Sequence, residues 1–454
     1  MSDVTVIGGG LAGSEAAWQL AERGHRVRLV EMRPSRSTPA HHTGEFAELV
    51  CSNTFRSDAI DHPVGLLKEE MRRLGSMIIE VGERRRIPGG TALTLDRDDF
   101  SADVSRRLTE HPLIEVVREE AEGIPEGPTI IATGPLTSPA LHEAIVAFSG
   151  QGELAYWDAA SPIVTEDSID WSRVYFASRY GKGEADAFAN CPMSEEEYRA
   201  FWRELRSAET HEREAFEDER YFEACLPVEV LAGRGEDTLR FGPLRPVGLR
   251  DPKTGRPPYA VLQLRRENAS GTLWNLVGCQ TGLRFREQQR VFRMIPALRE
   301  AEFERYGVIH RNTFLKSPAV LLPTLQARMR PDLFFAGQII GSEGYVEAAA
   351  GGLVAGINLS RLLQDEAPLV WPATTAIGGL MRYVSASDPE GFQPMHVAFG
   401  QMDPLPDPPR RKERRKAEMA ERALRDLAKF AEERGIELGP GAARSADEGE
   451  EGAR

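Results

Sequence analysis

The sequence predicts an α/β fold built on a parallel sheet, and three observations predict it. An apolar stretch at 4–7 leads directly into residues 8–13, which have the spacing G-x-G-x-x-G. A stretch with helical periodicity and small residues on one face follows until Gly24. A second predicted strand, 26–30, ends on Glu31, which lies 18 positions past Gly13. This strand–turn–helix–strand order is far more specific than the glycine spacing alone.

The glycine turn is suited to a pyrophosphate. Gly8 permits a tight turn, Gly10 lets the backbone approach the phosphates, and Gly13 lets helix and strand pack closely. The free N–H groups at the start of the helix favour an anion, and Glu31 stands where a ribose-binding acid is expected. We therefore predict a dinucleotide site formed by Gly8, Gly9, Gly10, Leu11, Ala12, Gly13 and Glu31.

Two later stretches extend this prediction to a two-dinucleotide-binding flavoprotein that holds FAD. Residues 129–135 form an apolar strand ending in Ala-Thr-Gly, so that Gly134 would lie where the chain returns beside the cofactor. Residues 333–338 form a buried strand ending in Gly337 and Gln338, before an Ala/Gly-rich helix at 346–363. Flavoproteins of this class usually have Gly-Asp at that point, and Gln338 can hydrogen-bond but has no charge. Because no second G-x-G-x-x-G is present, NADH or NADPH is expected to visit the flavin transiently.

The remaining patterns predict local elements and a domain division. Ser194 and Glu197 form a capping box that begins a helix running towards Glu209. Periodicity predicts further helices at 66–79, 98–108 and 410–434, and strands at 114–117, 259–264 and 273–277. We expect the FAD domain to comprise 1–140 and 310–406, with an α+β domain inserted at 141–309 and a charged helix with a disordered tail at 407–454.

Composition limits the protein class. No apolar run reaches the ~18 residues that a membrane span needs, and no secretory signal is visible, so we expect a cytoplasmic protein without a membrane partner. A net charge of −14 argues against nucleic acid. However, arginines cluster at 84–86, 234–290 and 410–416, so composition leaves that question open. The run at 84–86 is either a solvated turn or a phosphate contact. Oligomeric state cannot be predicted.

Four cysteines lack any C-x-x-C spacing, which argues against a zinc site and a local redox disulfide. Cys51 lies in a loop on the cofactor side with His41, His42 and Arg56. Cys225 ends a predicted helix before Pro227, and that end of the helix dipole disfavours a thiolate. Taken one at a time, a cysteine is more often a small buried hydrophobe, which is the expectation for Cys191 and Cys279. His310 is equally compatible with a structural and a ligand-stacking role.

The stretch 47–56, AELVCSNTFR, resembles one family, the folate- and FAD-dependent tRNA (uracil-5-)-methyltransferases known as TrmFO. Further matching motifs are 191–193, 222–227, 237–243, 306–313 and 392–395, and the resemblance covers residues 1 to about 406. It implies transfer of a one-carbon unit from methylenetetrahydrofolate to C5 of the T-loop uridine at position 54 of tRNA. It also implies FAD reduced by NAD(P)H, tetrahydrofolate as a product, the tRNA T-arm as partner, and no metal.

The resemblance also implies roles for particular residues. Cys225 would attack C6 of the uracil, and Cys51 would lie by the flavin and hold or protect the one-carbon unit. The resemblance is less specific about which cysteine has which of these roles. His310 would face the folate pterin. Its neighbours Arg311 and Asn312, together with Arg284, are the other expected substrate-binding residues. The chemistry is consistent, because uracil C5 becomes nucleophilic only after a thiolate adds beside it.

Three alternatives remain open at this point. A GidA-type protein, which modifies the wobble uridine, has different cysteine contexts and a longer helical C-terminal domain. A flavin disulfide reductase would need C-x-x-x-x-C after the first helix, which is absent. A non-catalytic RNA-binding flavoprotein would not need Cys51 or Cys225.

Overall fold

The structure, a computed structural model, describes residues 3–38, 40–150, 154–211 and 226–439, with backbone only at 154–157, 310 and 311. The helices are α1 Leu11–Ala21, α2 Pro63–Arg73, α3 Met77–Arg84, α4 Arg97–Glu110, α5 Pro139–Ser149, α6 Glu195–Ser207, α7 Val228–Gly233, α8 Thr238–Phe241, α9 Phe285–Phe292, α10 Ser317–Val320, α11 Tyr345–Leu363, α12 Ala376–Ala386 and α13 Lys412–Arg434. The strands are β1 Asp3–Ile7, β2 Arg26–Val30, β3 Thr54–Ser57, β4 Arg86–Ile87, β5 Ala92–Leu95, β6 Ile114–Val117, β7 Thr129–Ile131, β8 Leu154–Ala159, β9 Ile163–Thr165, β10 Tyr175–Phe176, β11 Ala189–Met193, β12 Ala260–Arg266, β13 Leu273–Leu276, β14 Phe303–Arg305, β15 Ile309–Phe314, β16 Gln326–Ala327 and β17 Arg330–Phe335.

The first sheet has the strand order β16-β17-β7-β1-β2-β6 and is parallel except for β16. Ile7 at the end of β1 pairs with Val30 on one side and with Ile131 on the other. The carboxyl ends of three strands therefore meet at one edge, which is where α/β sheets bind ligands. The predicted parallel α/β fold is confirmed.

Helices α1 and α11 pack closely on this sheet. A Cβ atom on Gly352 would overlap the carbonyl oxygen of Ala12, and one on Gly356 would lie 3.0 Å from that of Ala16. Only glycine allows this approach. Among the described residues, α11 alone is long and apolar enough to cross a membrane, but 83% of its most apolar window is buried inside the protein. It is therefore a core helix of this fold.

A second hydrophobic core lies within residues 164–301, apart from the first. Its sheet has the order β10-β11-β12-β13-β9-β14, and helices α6 and α9 meet over it, with the rings of Phe201 and Phe292 6.3 Å apart. The capping box at Ser194 is confirmed, and α6 ends at Ser207 rather than at Glu209.

The single helix expected over 66–79 was wrong, because the chain forms α2 and α3 there. Gly75 between them has a φ of +75°, and Ser76 begins α3 by accepting the N–H of Ile79. The periodicity continues across the break since both helices bury apolar residues in the same core.

Candidate functional site

A cavity of about 380 Å³ opens at the carboxyl edge of the first sheet. It has the size of a small-molecule site. The sequence-predicted residues that line it are Gly8, Gly10, Leu11, Ala12, Glu31, Cys51, Gly134, Asn312, Gly337 and Gln338. The structure thus brings the glycine turn and one candidate thiol into one cavity.

The glycine turn has the features of a phosphate site. Gly8 has a φ of +101°, and a Cβ there would lie 2.6 Å from the carbonyl oxygen of Ala132. Gly13 packs against Gly8, where a Cβ would overlap the carbonyl oxygen. Gly10 differs, because a Cβ there would meet nothing within 4 Å. It begins α1 without a side-chain cap, so the first N–H groups of the helix face open space.

Glu31 is held beside this turn. Its Oε2 accepts the N–H of Gly9 at 2.7 Å, and its Oε1 accepts the N–H and Nε of Arg33, both at 2.9 Å. Burial raises the pKa of Glu31, but the charge and hydrogen bonds of Arg33 outweigh it and leave the pKa below its usual value. Of the roughly four acceptor positions of a carboxylate, three are used. One acceptor position is left for a ribose hydroxyl.

Cys51 lies against the hydroxyl group of Tyr345, at the start of α11. The Tyr345 oxygen accepts the N–H of Cys51 at 2.8 Å and that of Ser52 at 3.2 Å, and it lies 3.0 Å from Cys51 Sγ. Because the two N–H groups occupy its acceptor positions, the hydroxyl proton points to the sulfur. Burial and the nearby Asp158 carboxylate raise the pKa of Cys51 to about 12, against the opposing hydrogen bond of Tyr345.

Two buried arginines hold the loop that carries Cys51. Arg265, on β12 of the second core, donates to Ser52 Oγ and Asn53 Oδ1, both at 3.0 Å. Arg97 donates to the carbonyl oxygen of Leu49 and pairs with Glu267 at 2.8 Å. The loop is therefore fixed from both hydrophobic cores.

The paired strands β8 and β15 supply another wall of the cavity. Asp158 lies on β8, and Asn312 Nδ2 donates to its Oδ2 at 3.5 Å. Asn312 Oδ1 is buried without a partner among the described residues. An acceptor in that position is suited to an N–H group of a heterocyclic ligand.

Sequence reasoning missed Tyr345, Asp158 and His396, all of which line the cavity. His396 donates from Nδ1 to the carbonyl oxygen of Glu343 at 2.8 Å. Burial and Arg56 lower its pKa. Tyr345 directly follows the glycine turn 341–344, and that position was the one available signal for it.

The remaining predicted residues have different surroundings. Arg284 is half-exposed, pairs with Glu209 at 3.0 Å and does not line the cavity. His310 and Arg311 lie on β15 opposite Asp158 and Trp157. Cys225 falls outside the described residues, as does the tail predicted beyond Gly439. Gln338 donates to Glu343 Oε2 at 2.8 Å.

Two further expectations concern cysteines and basic residues. Cys191 and Cys279 are fully buried, which confirms their assignment as hydrophobes. The three arginines 84–86 all pair with carboxylates of this chain, which favours the structural alternative over a phosphate contact. In the part of the chain that the structure describes, no group of three or more His, Cys, Asp or Glu side chains could hold a metal ion.

Proteins of known name match the chain over nearly its whole length. A protein named methylenetetrahydrofolate--tRNA-(uracil-5-)-methyltransferase TrmFO from Listeria innocua is 55% identical over 430 residues, which cover 95% of this chain and 99% of that protein. The protein of the same name from Moorella thermoacetica is 56% identical over 426 residues, with 93% and 97% coverage. The chain belongs to the TrmFO family.

Residues 3–367 of this TrmFO chain also match the family described as glucose inhibited division protein A, so the chain belongs to that wider family too. A solved structure of GidA from Aquifex aeolicus has a TM-score of 0.69 and 17% identity, covering 96% of this chain and 73% of that one. At that identity the likeness shows the fold alone. The predicted GidA-related, Rossmann-like flavoprotein fold is confirmed.

Proposed function

We propose that this chain is a methylenetetrahydrofolate–tRNA (uracil-5-)-methyltransferase that makes 5-methyluridine at position 54, in the T-arm of tRNA. The observation that carries the proposal is the single cavity lined by both the glycine turn and Cys51. Membership of the TrmFO family, whose relatives have this name, supports it. A GidA-type wobble-uridine activity is less supported, because GidA is a distant relative at 17% identity.

FAD fits the residues present. The open space at Gly10, the uncapped start of α1 and the remaining acceptor position of Glu31 suit the pyrophosphate and ribose. Gly134, Gly337 and Gln338 line the same cavity. When bound and reduced by NADH or NADPH, FAD would supply the reducing equivalents.

The state of Cys51 supports a division of labour between the two thiols. With a pKa of about 12, Cys51 keeps its proton at neutral pH, and the thiol is a weak nucleophile in that form. It is suited to protect or hold the one-carbon unit rather than to attack uracil. We assign attack on C6 to Cys225, and folate binding to strand β15, which carries His310, Arg311 and Asn312. A uridine within folded tRNA must be extruded to reach the cavity.

The organisation of the chain follows from the same proposal. Residues 1–140 and 310–406 would form the FAD domain, 141–309 the inserted domain on the tRNA side, and 407–454 a charged helix and tail. We place the protein in the cytoplasm, where tRNA and folate are available.

The test measures transfer of label from methylenetetrahydrofolate that carries 14C in its methylene group to tRNA, with the product nucleoside located by digestion. Cys51→Ala and Cys225→Ala should abolish transfer while the purified proteins retain their flavin spectrum, and Cys191→Ala serves as the matched control. Label at the wobble position would support the GidA-type function instead. Transfer from S-adenosylmethionine, or full activity of both variants, would refute the proposal.

A further inference from the structure

Three large side chains on the segments around the second core, at positions 180, 241 and 247, face solvent. Phe241 is 80% exposed, Tyr180 67% and Val247 56%, which places them among the most exposed large hydrophobic residues of the described chain. Isolated exposed apolar residues are common and need no explanation. The Tyr180 N–H donates to the loop that follows Val247, and the N–H of Arg245 donates to the carbonyl oxygen of Gly242, next to Phe241. With Arg245 and Arg250 these three residues form what we call the aromatic–basic patch.

The backbone holds Tyr180 in this exposed position. Its φ of +58° is uncommon for a non-glycine residue. Its N–H donates to the carbonyl oxygen of Gly248 at 2.9 Å, and its ring covers Gly248, where a Cβ would lie 2.9 Å from the ring carbon Cζ. The ring is therefore fixed on the loop that follows Val247.

The neighbouring Arg179 fixes the other side of the same loop. Its guanidinium donates to the carbonyl oxygens of Arg245 and Val247, at 2.6 and 2.9 Å, and to Gln263 Oε1 at 3.0 Å. Gln263 lies on β12, so the loop is anchored to the central part of the second sheet. The loop at 245–247 is therefore held in place by hydrogen bonds to the second sheet.

The charge of the patch is opposite to that of the whole protein. Residues 240–256 contain four arginines and one lysine against a single aspartate, in a chain whose net charge is −14. Within the described residues, Arg245 has no carboxylate partner and Arg250 donates only to the carbonyl oxygen of Gly255. These two cations are available to phosphate groups.

One contact connects the segment that carries the patch with the segment that lines the cavity. Pro243, two residues past Phe241, packs against Gly278, where a Cβ would lie 2.5 Å from the proline ring. Two residues further, Gln280 lines the cavity.

We propose that the aromatic–basic patch binds an unpaired loop of the substrate tRNA, with bases stacked on Phe241 and Tyr180 and phosphates on Arg245 and Arg250. This inference rests on the proposed function and names the surface that function would use. Exposed aromatic rings flanked by cations are how proteins bind single-stranded nucleic acid. A double helix would not use the rings, because its bases are already stacked.

The experiment compares Phe241→Ala, Tyr180→Asn and Arg245→Ala with wild type. Asparagine removes the ring and tolerates the positive φ of Tyr180. Val370→Ala is the matched control, since Val370 is 58% exposed and lies far along the chain from the patch. Binding of unmodified tRNA is measured by fluorescence anisotropy over a range of salt concentrations, and kcat and KM by labelled-folate transfer, with the melting temperature and flavin spectrum of each variant recorded.

We expect each aromatic variant to raise Kd and KM for tRNA by about 5-fold to 100-fold, with kcat at saturating tRNA retained. Arg245→Ala should also reduce the slope of log Kd against log salt by about one. Wild-type Kd in the three variants would overturn the inference even if the enzyme methylates tRNA. Altered self-association with unchanged tRNA binding would also overturn it, in favour of a protein interface. If the variants bind tRNA more weakly but the wild type transfers no label, the proposed function is refuted and the tRNA-binding patch is supported.

Discussion

Replacing Tyr345 with phenylalanine tests the geometry around Cys51. The change removes one oxygen that accepts two N–H groups and lies 3.0 Å from the sulfur. Two partly buried loop N–H groups lose their acceptor, and each unpaired buried donor costs about 1–3 kcal/mol, so the two together cost about 2–6 kcal/mol. We therefore expect the free energy of unfolding to fall by about that amount.

The effect on the thiol is worked out separately. A hydrogen bond to a charged group is worth about 1.5–3 kcal/mol, and the Tyr345 proton stabilises the Cys51 thiolate. Without it the pKa rises further above its present value of about 12. At fixed pH the thiolate fraction should fall by roughly tenfold to a hundredfold, and the rate of alkylation should fall with it.

The assay follows iodoacetamide labelling of the Cys51 peptide by mass spectrometry at pH 8 to 10, with flavin-free protein. Cys279, buried elsewhere, provides the internal control, and urea denaturation gives the stability of each protein. An unchanged or faster rate at Cys51, in a variant whose loop remains protected from hydrogen exchange, would refute the assigned direction of the hydrogen bond.

Three further predictions concern the supporting structure. Gly10→Ala should keep the melting temperature of the flavin-free protein but lose FAD. Gly13→Ala, whose Cβ would overlap Gly8, should lower both the melting temperature and the FAD content. Equal melting temperatures of the two variants would contradict this prediction. Burial raises the pKa of Glu70 from 4.5 to about 7. The unfolded chain therefore loses that proton first, and the free energy of unfolding should fall between pH 4.5 and 7 by on the order of 3 kcal/mol. Urea denaturation should show no such fall in Glu70→Gln. If the free energy of unfolding changed with pH in the same way in the variant and in the wild type, the prediction would be wrong. Arg265→Lys keeps the charge but loses the guanidinium group that reaches Ser52, so hydrogen exchange at 49–53 should quicken while global stability changes little. Unchanged hydrogen exchange at 49–53 would show that Arg265 does not hold this loop.

The elements that were predictable are those with a local pattern. β2 and β6 were placed at their observed bounds because each is a short segment with three aliphatic residues. The glycine turn was predictable because its spacing reflects a backbone requirement at each position. The break at Gly75 was missed, since the apolar period on either side continues without change.

The surroundings of the thiol could not be predicted in the same way. Tyr345 is 294 positions from Cys51, and no local spacing indicates their contact. Arg265 reaches the same loop from a different core, 213 positions from Ser52. Such pairs depend on how the two cores are placed, which a single sequence does not reveal.

One consequence follows from the double use of α11. Its first residue, Tyr345, touches the sulfur, and seven residues later Gly352 packs on Ala12 beside the phosphate turn. At 1.5 Å per residue these points are about 10 Å apart along a rigid rod. The separation of the two ends of the cavity is thus set by helical pitch rather than by loop length. Inserting one residue between them would swing the tyrosine about 100° around the axis and away from the sulfur, while the glycine contact stayed in register.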